Sequence, residues 1–441
     1  MSTPKELVFG GAEPLLGTLA VPGDKSMSHR ALIFAALATG TSSIAHLAGG
    51  ADVACTRAVL VALGVRIRVR ADEGVVVAGA GFEGLREPEV VLDCGNSGTT
   101  MRLVAGLLAG RPLHAVLTGD DSLLRRPMMR VVEPLRAMGA KITGRNGGAL
   151  APLAIQGAAL TGCRHELPVA SAQVSSALVL AGLQADGETF IAEPGMSRDH
   201  TVRMLAALGA PVVRVDERTL RVHAGAPMPF EFVVPGDPSS AAFFVVAACI
   251  TPGSSIRLRG VSLNPTRIGF VTVLQRMGAR ITIEPTGDVL GEPVGDLVVE
   301  ASTLEGTVIS GAEIPNVIDE IPVLAVAAAF AHGRTEIRDA AELRHKESDR
   351  IGTIAQELTQ MGVGVTTLPD GLDIEGGQPR AGLFKSHGDH RIAMAGAVAA
   401  HALAGASTVR GWRAVSSSYP EFLTDFSTLL RSTGTMGTPG P

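Results

Sequence analysis

One arrangement of residues recurs six times along this chain and limits what it can fold into. A short extended segment leads into a cluster of small polar residues and then an Ala-rich helix at 21–38 (VPGDKSMSHRALIFAALA), 93–110 (DCGNSGTTMRLVAGLLAG) and 168–183 (PVASAQVSSALVLAGL). The same order returns at 234–250 (VPGDPSSAAFFVVAACI), 314–331 (IPNVIDEIPVLAVAAAFA) and 388–403 (GDHRIAMAGAVAAHAL). Most copies are followed by an amphipathic helix closing on a glycine, at Gly64, Gly139, Gly209, Gly278 and Gly362, before a β-rich stretch. Glycine suits that place because it accepts the left-handed backbone that ends a helix. A period of roughly 70 residues is too long for a solenoid repeat and fits a small α/β subdomain with two helices and several strands. Six such subdomains divide into two lobes of three. The Ala-rich helices are apolar on nearly every face, which predicts that they lie buried in the middle of each lobe.

The polar clusters at the starts of these helices carry the chemistry. The first holds Lys25, Ser26 and Arg30; the second Asn96, Gly98, Thr99 and Arg102; the third Ser171 and Gln173. The fifth holds Asp319 and Glu320, and the sixth Asp389, His390 and Arg391. For any one cluster, ordinary N-capping is the plainer reading. A Lys and an Arg in the first turns of a helix, however, cost a few tenths of a kcal/mol against its dipole. Free backbone N–H groups, the positive dipole end and fixed cations together make an anion site, in which a bound anion offsets that repulsion. Two denser stretches lie between the clusters. Leu124-Arg125-Arg126-Pro127-Met128 sets paired Arg before a Pro at an expected helix start. Leu343-Arg344-His345-Lys346-Glu347-Ser348-Asp349-Arg350 reads as a charged helix with Lys346 and Arg350 at i,i+4 on one side. This inventory suits a ligand with at least two phosphate or carboxylate groups, since Arg forks bind oxyanions bidentately and Lys supplies a point charge. Asp319 and Glu347, placed beside cations, can move protons.

Composition sharpens the reading. A chain of 441 residues holds two or three domains. Its net charge of -5 argues against a nucleic-acid or membrane-surface partner. Of 38 basic residues five are Lys (5, 25, 141, 346 and 385), so a Lys inside a motif tells more than an Arg. Hydrophobic residues make up 46% and aromatics 3%, so the core is expected from Ala, Val, Leu and Ile. The four cysteines (55, 94, 163 and 249) show neither CxxC nor metal spacing, and read as free thiols of a reducing compartment. No metal is expected. The opening MSTPKELVFGGAEPL has no apolar signal-peptide core, and no apolar run reads as a membrane span, so a cytoplasmic protein is expected. Residues 431–441 read as a disordered tail. No Walker GxxxxGK[ST], GxSxG or HExxH occurs, and no GxGxxG follows a strand in a βαβ unit.

In order along the chain, PGDKSMSHR, CGNSGTTMR, RRPM, ASAQ, NPTR, IDE, LRHKESDR and GDHR resemble the 5-enolpyruvylshikimate-3-phosphate synthase (3-phosphoshikimate 1-carboxyvinyltransferase) family, from about residue 10 to 430. The resemblance implies an α/β, two-lobed enolpyruvyl transferase fold, each lobe of three βαβαββ units, with the active site in the interlobe cleft. One lobe would comprise 1–22 plus 236–441 and carry phosphoenolpyruvate and proton-transfer residues; the other, 23–235, would bind shikimate 3-phosphate. It implies transfer of the enolpyruvyl group of phosphoenolpyruvate to the 5-hydroxyl of shikimate 3-phosphate by addition–elimination, in aromatic amino acid biosynthesis. No cofactor is implied, and a monomer is expected. Carried over motif by motif, the shikimate 3-phosphate ligands would be Lys25, Ser26, Arg30, Ser171, Ala172 (through its backbone), Gln173, Arg198, Asp319 and Lys346. The phosphoenolpyruvate ligands would be Lys25, Gly98, Arg126, Gln173, Arg350 and Arg391. Asp319 would act as base on the 5-hydroxyl and Glu347 as proton shuttle to the methylene carbon, with Lys25 touching both substrates. Gly98 leaves room for glyphosate, for which the family is the target.

Two places depart from the family pattern. Where many members have Lys before a Phe-Pro, this chain reads Ser416-Ser417-Ser418-Tyr419-Pro420, which leaves Arg413 or a Ser near 417, such as Ser417 itself, as the candidate replacement. Glu342 stands where Asn is frequent. The sister enolpyruvyl transferase acting on UDP-N-acetylglucosamine shares the fold, but its members open with Lys-Asn, whereas Lys25 here is followed by Ser26. They also use a loop Cys, which the stretch around Arg125-Arg126-Pro127 lacks. A non-catalytic anion-binding protein on the same scaffold would lack Asp319 and Glu347.

Overall fold

The computed structural model describes residues 5–71 and 73–431. Its repeating element is clearest at 92–156. Leu92–Asp93 pairs in parallel with His114–Thr118, and the Gly98–Ala109 helix makes the crossover between them. A second helix, Met129–Ala137, leads to Lys141–Arg145 and Leu150–Gln156; the latter runs antiparallel to both of its neighbours. This βαβαββ order gives one parallel and two antiparallel pairings. The same pattern recurs in the sheets built on Thr189–Ala192 and Arg334–Ile337. The described residues form six sheets, five of four strands and one of three.

Chain contacts divide the protein into two units. One is Met1–Pro22, Gly236–Gly287 and Pro293–Pro441; the other is Gly23–Pro235 with Asp288–Glu292. Three sheets take a strand from a distant part of the sequence: Leu16–Leu19 pairs in parallel with Ser255–Ser262, Glu231–Val233 in parallel with Thr39–Ala45, and Glu6–Phe9 runs antiparallel to Ser407–Arg410. The five-residue excursion 288–292 joins the second unit through a 2.7 Å pairing of His200 Nδ1 with Glu292 Oε1, and through Arg203 Nη1 donating to the Gly291 carbonyl.

Each unit has its own core. The six Ala-rich helices are Lys25–Leu37, Gly98–Ala109, Ala172–Gly182, Pro238–Ile250, Ile321–Ala329 and His390–His401. After the first turn nearly every residue in them is buried, whichever way it points. Small side chains are what allow this. A Cβ on Gly106 would sit 2.2 Å from the Ala177 carbonyl oxygen, so two of these helices meet backbone to backbone. The five glycines read as helix terminators have φ of +89°, +115°, +74°, +95° and +83°, the left-handed backbone that stop requires.

Two sequence expectations need adjustment. The core of the first unit is not purely aliphatic, because Phe9, Phe243, Phe244, Phe422 and Phe426 gather around the chain's single Trp412 and single Tyr419. The C-terminal helix Phe422–Arg431 supplies part of this cluster. Arg431, read as the start of a disordered tail, is therefore the last residue of a helix; 432–441 lie outside the described residues.

Candidate active site

In the second unit three helix starts are tied into a ring by hydrogen bonds. From the first helix, His29 Nδ1 meets Thr56 Oγ1 at 2.6 Å, and Thr56 meets Thr100 Oγ1 of the second helix at 2.6 Å. The second helix joins the third through Gln173, which accepts from Arg102 Nη1 and donates to Thr99 Oγ1 (2.9 Å). The third returns to the first through Arg30, whose Nη2 donates to Ser176 Oγ (2.8 Å) and whose Nε donates to Thr201 Oγ1 (2.6 Å). Arg30 is 3% exposed and also donates to the Ser26 carbonyl. Burial pushes the His29 imidazole down to about 3, with the nearby cations Lys25 and Arg30 adding to the effect and Asp52 opposing it. The ring therefore carries a neutral imidazole.

On this frame sit the half-buried candidates. Lys25 opens its helix behind the N-cap Asp24 and donates to Asp52 Oδ2 at 3.1 Å, with Ser26 beside it. Arg126 follows a short 3-10 turn, Leu123–Arg125, and donates to Asn96 Oδ1 (2.6 Å), whose amide holds Asp120. The expected helix after Pro127 begins at Met129. Gly98 faces both guanidinium groups of this corner. A Cβ there would lie 2.8 Å from Arg102 Nη1 and 3.4 Å from Arg126 Nη1. Ser171 occupies the N-cap of Ala172–Gly182 with extended backbone, yet its hydroxyl makes no capping bond. By contrast Asp24 and Ser97 do cap their helices. Arg198 lies half-buried in the loop before His200–Ala207, three residues ahead of the Thr201 that holds Arg30.

The first unit gathers the remaining candidates around one carboxylate. Asp319 lies between the short helix Ile314–Val317 and the helix Ile321–Ala329. Arg350 Nη1 donates to its Oδ1 (3.1 Å), and Lys346 Nζ stands 3.5 Å from the same oxygen. Arg391 Nη2 is 4.0 Å from Oδ2, while Arg391 Nη1 donates to the Asp319 carbonyl. Arg350 is almost fully buried; its Nη2 donates to Glu347 Oε2 (2.6 Å) and its Nε to Asp389 Oδ2 (2.8 Å). Burial works against the Arg350 charge, but Asp389, Glu347 and Asp319 more than offset it and raise its pKa above the ordinary guanidinium value. Burial likewise disfavours the Asp389 carboxylate, yet Arg350 keeps its pKa below the usual range.

The expected charged helix over 343–350 is not one helix. A 3-10 stretch, Ala341–His345, breaks at Lys346 (φ -83°, ψ -156°), and an α-helix starts at Arg350. Asp349 causes the restart: its side chain caps Gly352 N–H and accepts from Arg344 Nη1. Lys346 and Arg350 still reach the same oxygen, from a loop and a first turn rather than from one helical face. Of the C-terminal departures, Arg413 is exposed on the 3-10 segment Trp412–Ser417. The Ser416 and Ser417 hydroxyls donate to the Arg413 and Ala414 carbonyls, so they stabilise that turn itself.

Sequence reasoning missed Asp52, Thr56, Ser176 and Thr201. Asp52 reads as an ordinary acid in a first helical turn. The three hydroxyls are at most 3% exposed and interrupt apolar helix faces, the one trace they leave in the sequence. All four cysteines are free. Among the described residues there is no cluster of three or more His, Cys, Asp or Glu able to hold a metal, and no helix long and apolar enough to cross a membrane.

The chain as a whole is similar to known proteins. Residues 10–426 match the family model of EPSP synthase (3-phosphoshikimate 1-carboxyvinyltransferase). A 3-phosphoshikimate 1-carboxyvinyltransferase of Synechococcus sp. (strain JA-3-3Ab) is 53% identical over 428 residues, 96% of either chain. The solved EPSP synthase of Acinetobacter baumannii superposes with a TM-score of 0.87 at 41% identity, covering 96% of this chain and 98% of that one. The enolpyruvyl transferase NikO of Streptomyces tendae shares the fold, with a TM-score of 0.78 at 19% identity over 96% of this chain and 97% of its own.

Proposed function

The chain belongs to the EPSP synthase (3-phosphoshikimate 1-carboxyvinyltransferase) family, and we propose that the two clusters described above divide the work of that reaction. The protein is a transferase that moves the enolpyruvyl group of phosphoenolpyruvate to the 5-hydroxyl of shikimate 3-phosphate, releasing phosphate. Its matched relatives carry that activity in their names, which disfavours the UDP-N-acetylglucosamine alternative.

Phosphoenolpyruvate carries a phosphate and a carboxylate, and shikimate 3-phosphate carries the same two groups. In our reading Lys25, Ser26, Arg30, Ser171, Gln173, Arg198 and the Ala172 backbone engage the second substrate. Ser171 suits this role because its hydroxyl is not spent on its own helix. Gly98, Arg126, Arg350 and Arg391 hold phosphoenolpyruvate, with Lys25 and Gln173 reaching both ligands. Gly98 admits the phosphate because it places no Cβ against the guanidinium groups of Arg102 and Arg126.

The chemistry itself is assigned to Asp319, Lys346 and Glu347. Asp319 takes the proton of the 5-hydroxyl as its oxygen bonds to C2 of phosphoenolpyruvate, and Glu347 delivers a proton to C3. The resulting tetrahedral ketal then loses a C3 proton back to Glu347 as the C2–O bond to phosphate breaks, and the proton held by Asp319 passes to the departing phosphate, which restores the base. Lys346 and Arg350, both near Asp319 Oδ1, fix that carboxylate and meet charge that develops nearby. The convergence of Lys346, Arg350 and Arg391 on Asp319, with Glu347 on the same Arg350, carries this reading. Asp319→Ala is expected to cut turnover by about 100-fold or more while the protein stays folded. Near-normal phosphate release from that variant would exclude Asp319 as the base.

A further inference from the structure

We propose that Glu320 is the positioning residue for Arg391, acting with Ser239 and Arg267, an inference that rests on Arg391 gripping phosphoenolpyruvate. Glu320 stands at the N-cap of Ile321–Ala329 but makes no side-chain capping bond there. Its carboxylate turns inward instead and is 1% exposed. Oε1 accepts a hydrogen bond from Ser239 Oγ and lies 3.6 Å from Arg391 Nη1. Ser239 Oγ accepts in turn from Arg267 Nη2 (2.9 Å), the last residue of the Asn264-Pro265-Thr266-Arg267 motif. Arg267 Nη2 also donates to Asp237 Oδ1 (3.0 Å), and Asp237 caps the Pro238–Ile250 helix through Ser239 N–H.

This accounts for the one polar cluster that otherwise has no part in the chemistry. The fourth helix start, Asp237-Pro238-Ser239, is filled from inside by Arg267, and it links that cation through a hydroxyl to the acid beside Arg391. Two cations and two carboxylates alternate along the chain of contacts, the balance that buried charges need. Arg267, Glu320, Ser239 and Asp237 are all at most 6% exposed.

The geometry also says what Glu320 prevents. Arg391 is held by two consecutive residues: the Asp319 carbonyl accepts from its Nη1, and the Glu320 carboxylate lies alongside. Its other nitrogen is still 4.0 Å from Asp319 Oδ2. Without the Glu320 charge, the nearest replacement partner for Arg391 is that Asp319 carboxylate. Such a pairing would remove a cation from the oxyanion of the substrate and would occupy the base. Glu320 thus keeps two reacting groups a short distance apart.

The test uses the full chain, with steady-state kinetics for phosphoenolpyruvate at saturating shikimate 3-phosphate and calorimetric titration of shikimate 3-phosphate alone. Glu320→Gln keeps the shape and removes the charge. It is expected to raise KM for phosphoenolpyruvate by about ten-fold, the size of one charged hydrogen bond, with shikimate 3-phosphate affinity unchanged. Ser239→Ala should move KM the same way by less, and it carries the test if Glu320→Gln does not fold. In an Arg391→Lys background, adding Glu320→Gln should change KM little, because the partner it acts through is already altered. An unchanged KM in the single variants, equal weakening of both substrates, or full multiplication of the two effects overturns the proposal. Arg391→Lys separates the two readings: if it leaves KM unchanged, the phosphoenolpyruvate assignment falls and this inference with it. If it raises KM while Glu320→Gln does not, the Glu320 inference alone is wrong.

Discussion

Arg126 and His29 show how differently single side chains serve this protein. Arg126 is half-buried and aimed by Asn96 and Ser122, and a Cβ on Gly98 would stand 3.4 Å from its Nη1. Arg126→Ala is expected to weaken phosphoenolpyruvate binding by at least about 1.5 kcal/mol, the loss of a charged hydrogen bond. Unchanged affinity in a titration would contradict that role. His29 is wholly internal. Its folded pKa of about 3 lies below the 6.5 of an unfolded chain. Between those values the unfolded chain binds a proton that the folded one does not, so stability is intact above 6.5 and falls as pH drops. The loss approaches about 1.4 kcal/mol per pH unit within the window. His29→Asn should flatten this dependence in urea unfolding followed by circular dichroism at pH 7 and pH 5. Equal slopes in the two proteins would count against it.

At the scale of elements, the segment 341–360 is the informative one. Its 3-10 stretch, break and α-helix place Lys346, Glu347 and Arg350 around Asp319 and Asp389. Asp349→Ala removes the cap on Gly352 and one of the three hydrogen-bond partners of Arg344, and should cost about 1 kcal/mol. Trp412, the chain's single tryptophan, lies in the same unit and reports its unfolding by fluorescence. An unchanged urea midpoint would show that the cap is dispensable. The break was not legible in the sequence because charged residues at helical spacing look alike whether the turn is continuous or restarts at an Asp. What was legible rests on stronger physics. Ala-rich helices with no polar face must be buried, and glycine after an amphipathic run must take left-handed backbone; both hold here. Lys25 and Arg391 could be singled out because a cation at a helix start works against the dipole, Lys346 because it is one of five Lys and stands in a dense charged stretch, and Asp319 through the IDE motif of the family resemblance. Thr56, Ser176 and Thr201 could not, since a buried hydroxyl has no pattern until its partner is known. The aromatic cluster around Trp412 was hidden because its members come from both ends of the chain and the middle.

For the whole molecule, the βαβαββ subdomain explains why the candidate residues are so scattered in sequence. Each buried helix offers one N-terminus, and a unit with three of them brings residues from three distant segments to one ring or one cluster. The unit holding Lys25, Gly98, Arg126 and Gln173 and the unit holding Asp319, Lys346, Glu347, Arg350 and Arg391 have separate cores. Our account makes them partners in one addition–elimination reaction, in which phosphate can leave only after the 5-hydroxyl has added. The most direct measurement is phosphate release from phosphoenolpyruvate by the intact protein, with and without shikimate 3-phosphate. Release that depends strictly on shikimate 3-phosphate, one phosphate for each enolpyruvyl product, is the predicted result. Release at the same rate in its absence, or none with both substrates present, would contradict the account.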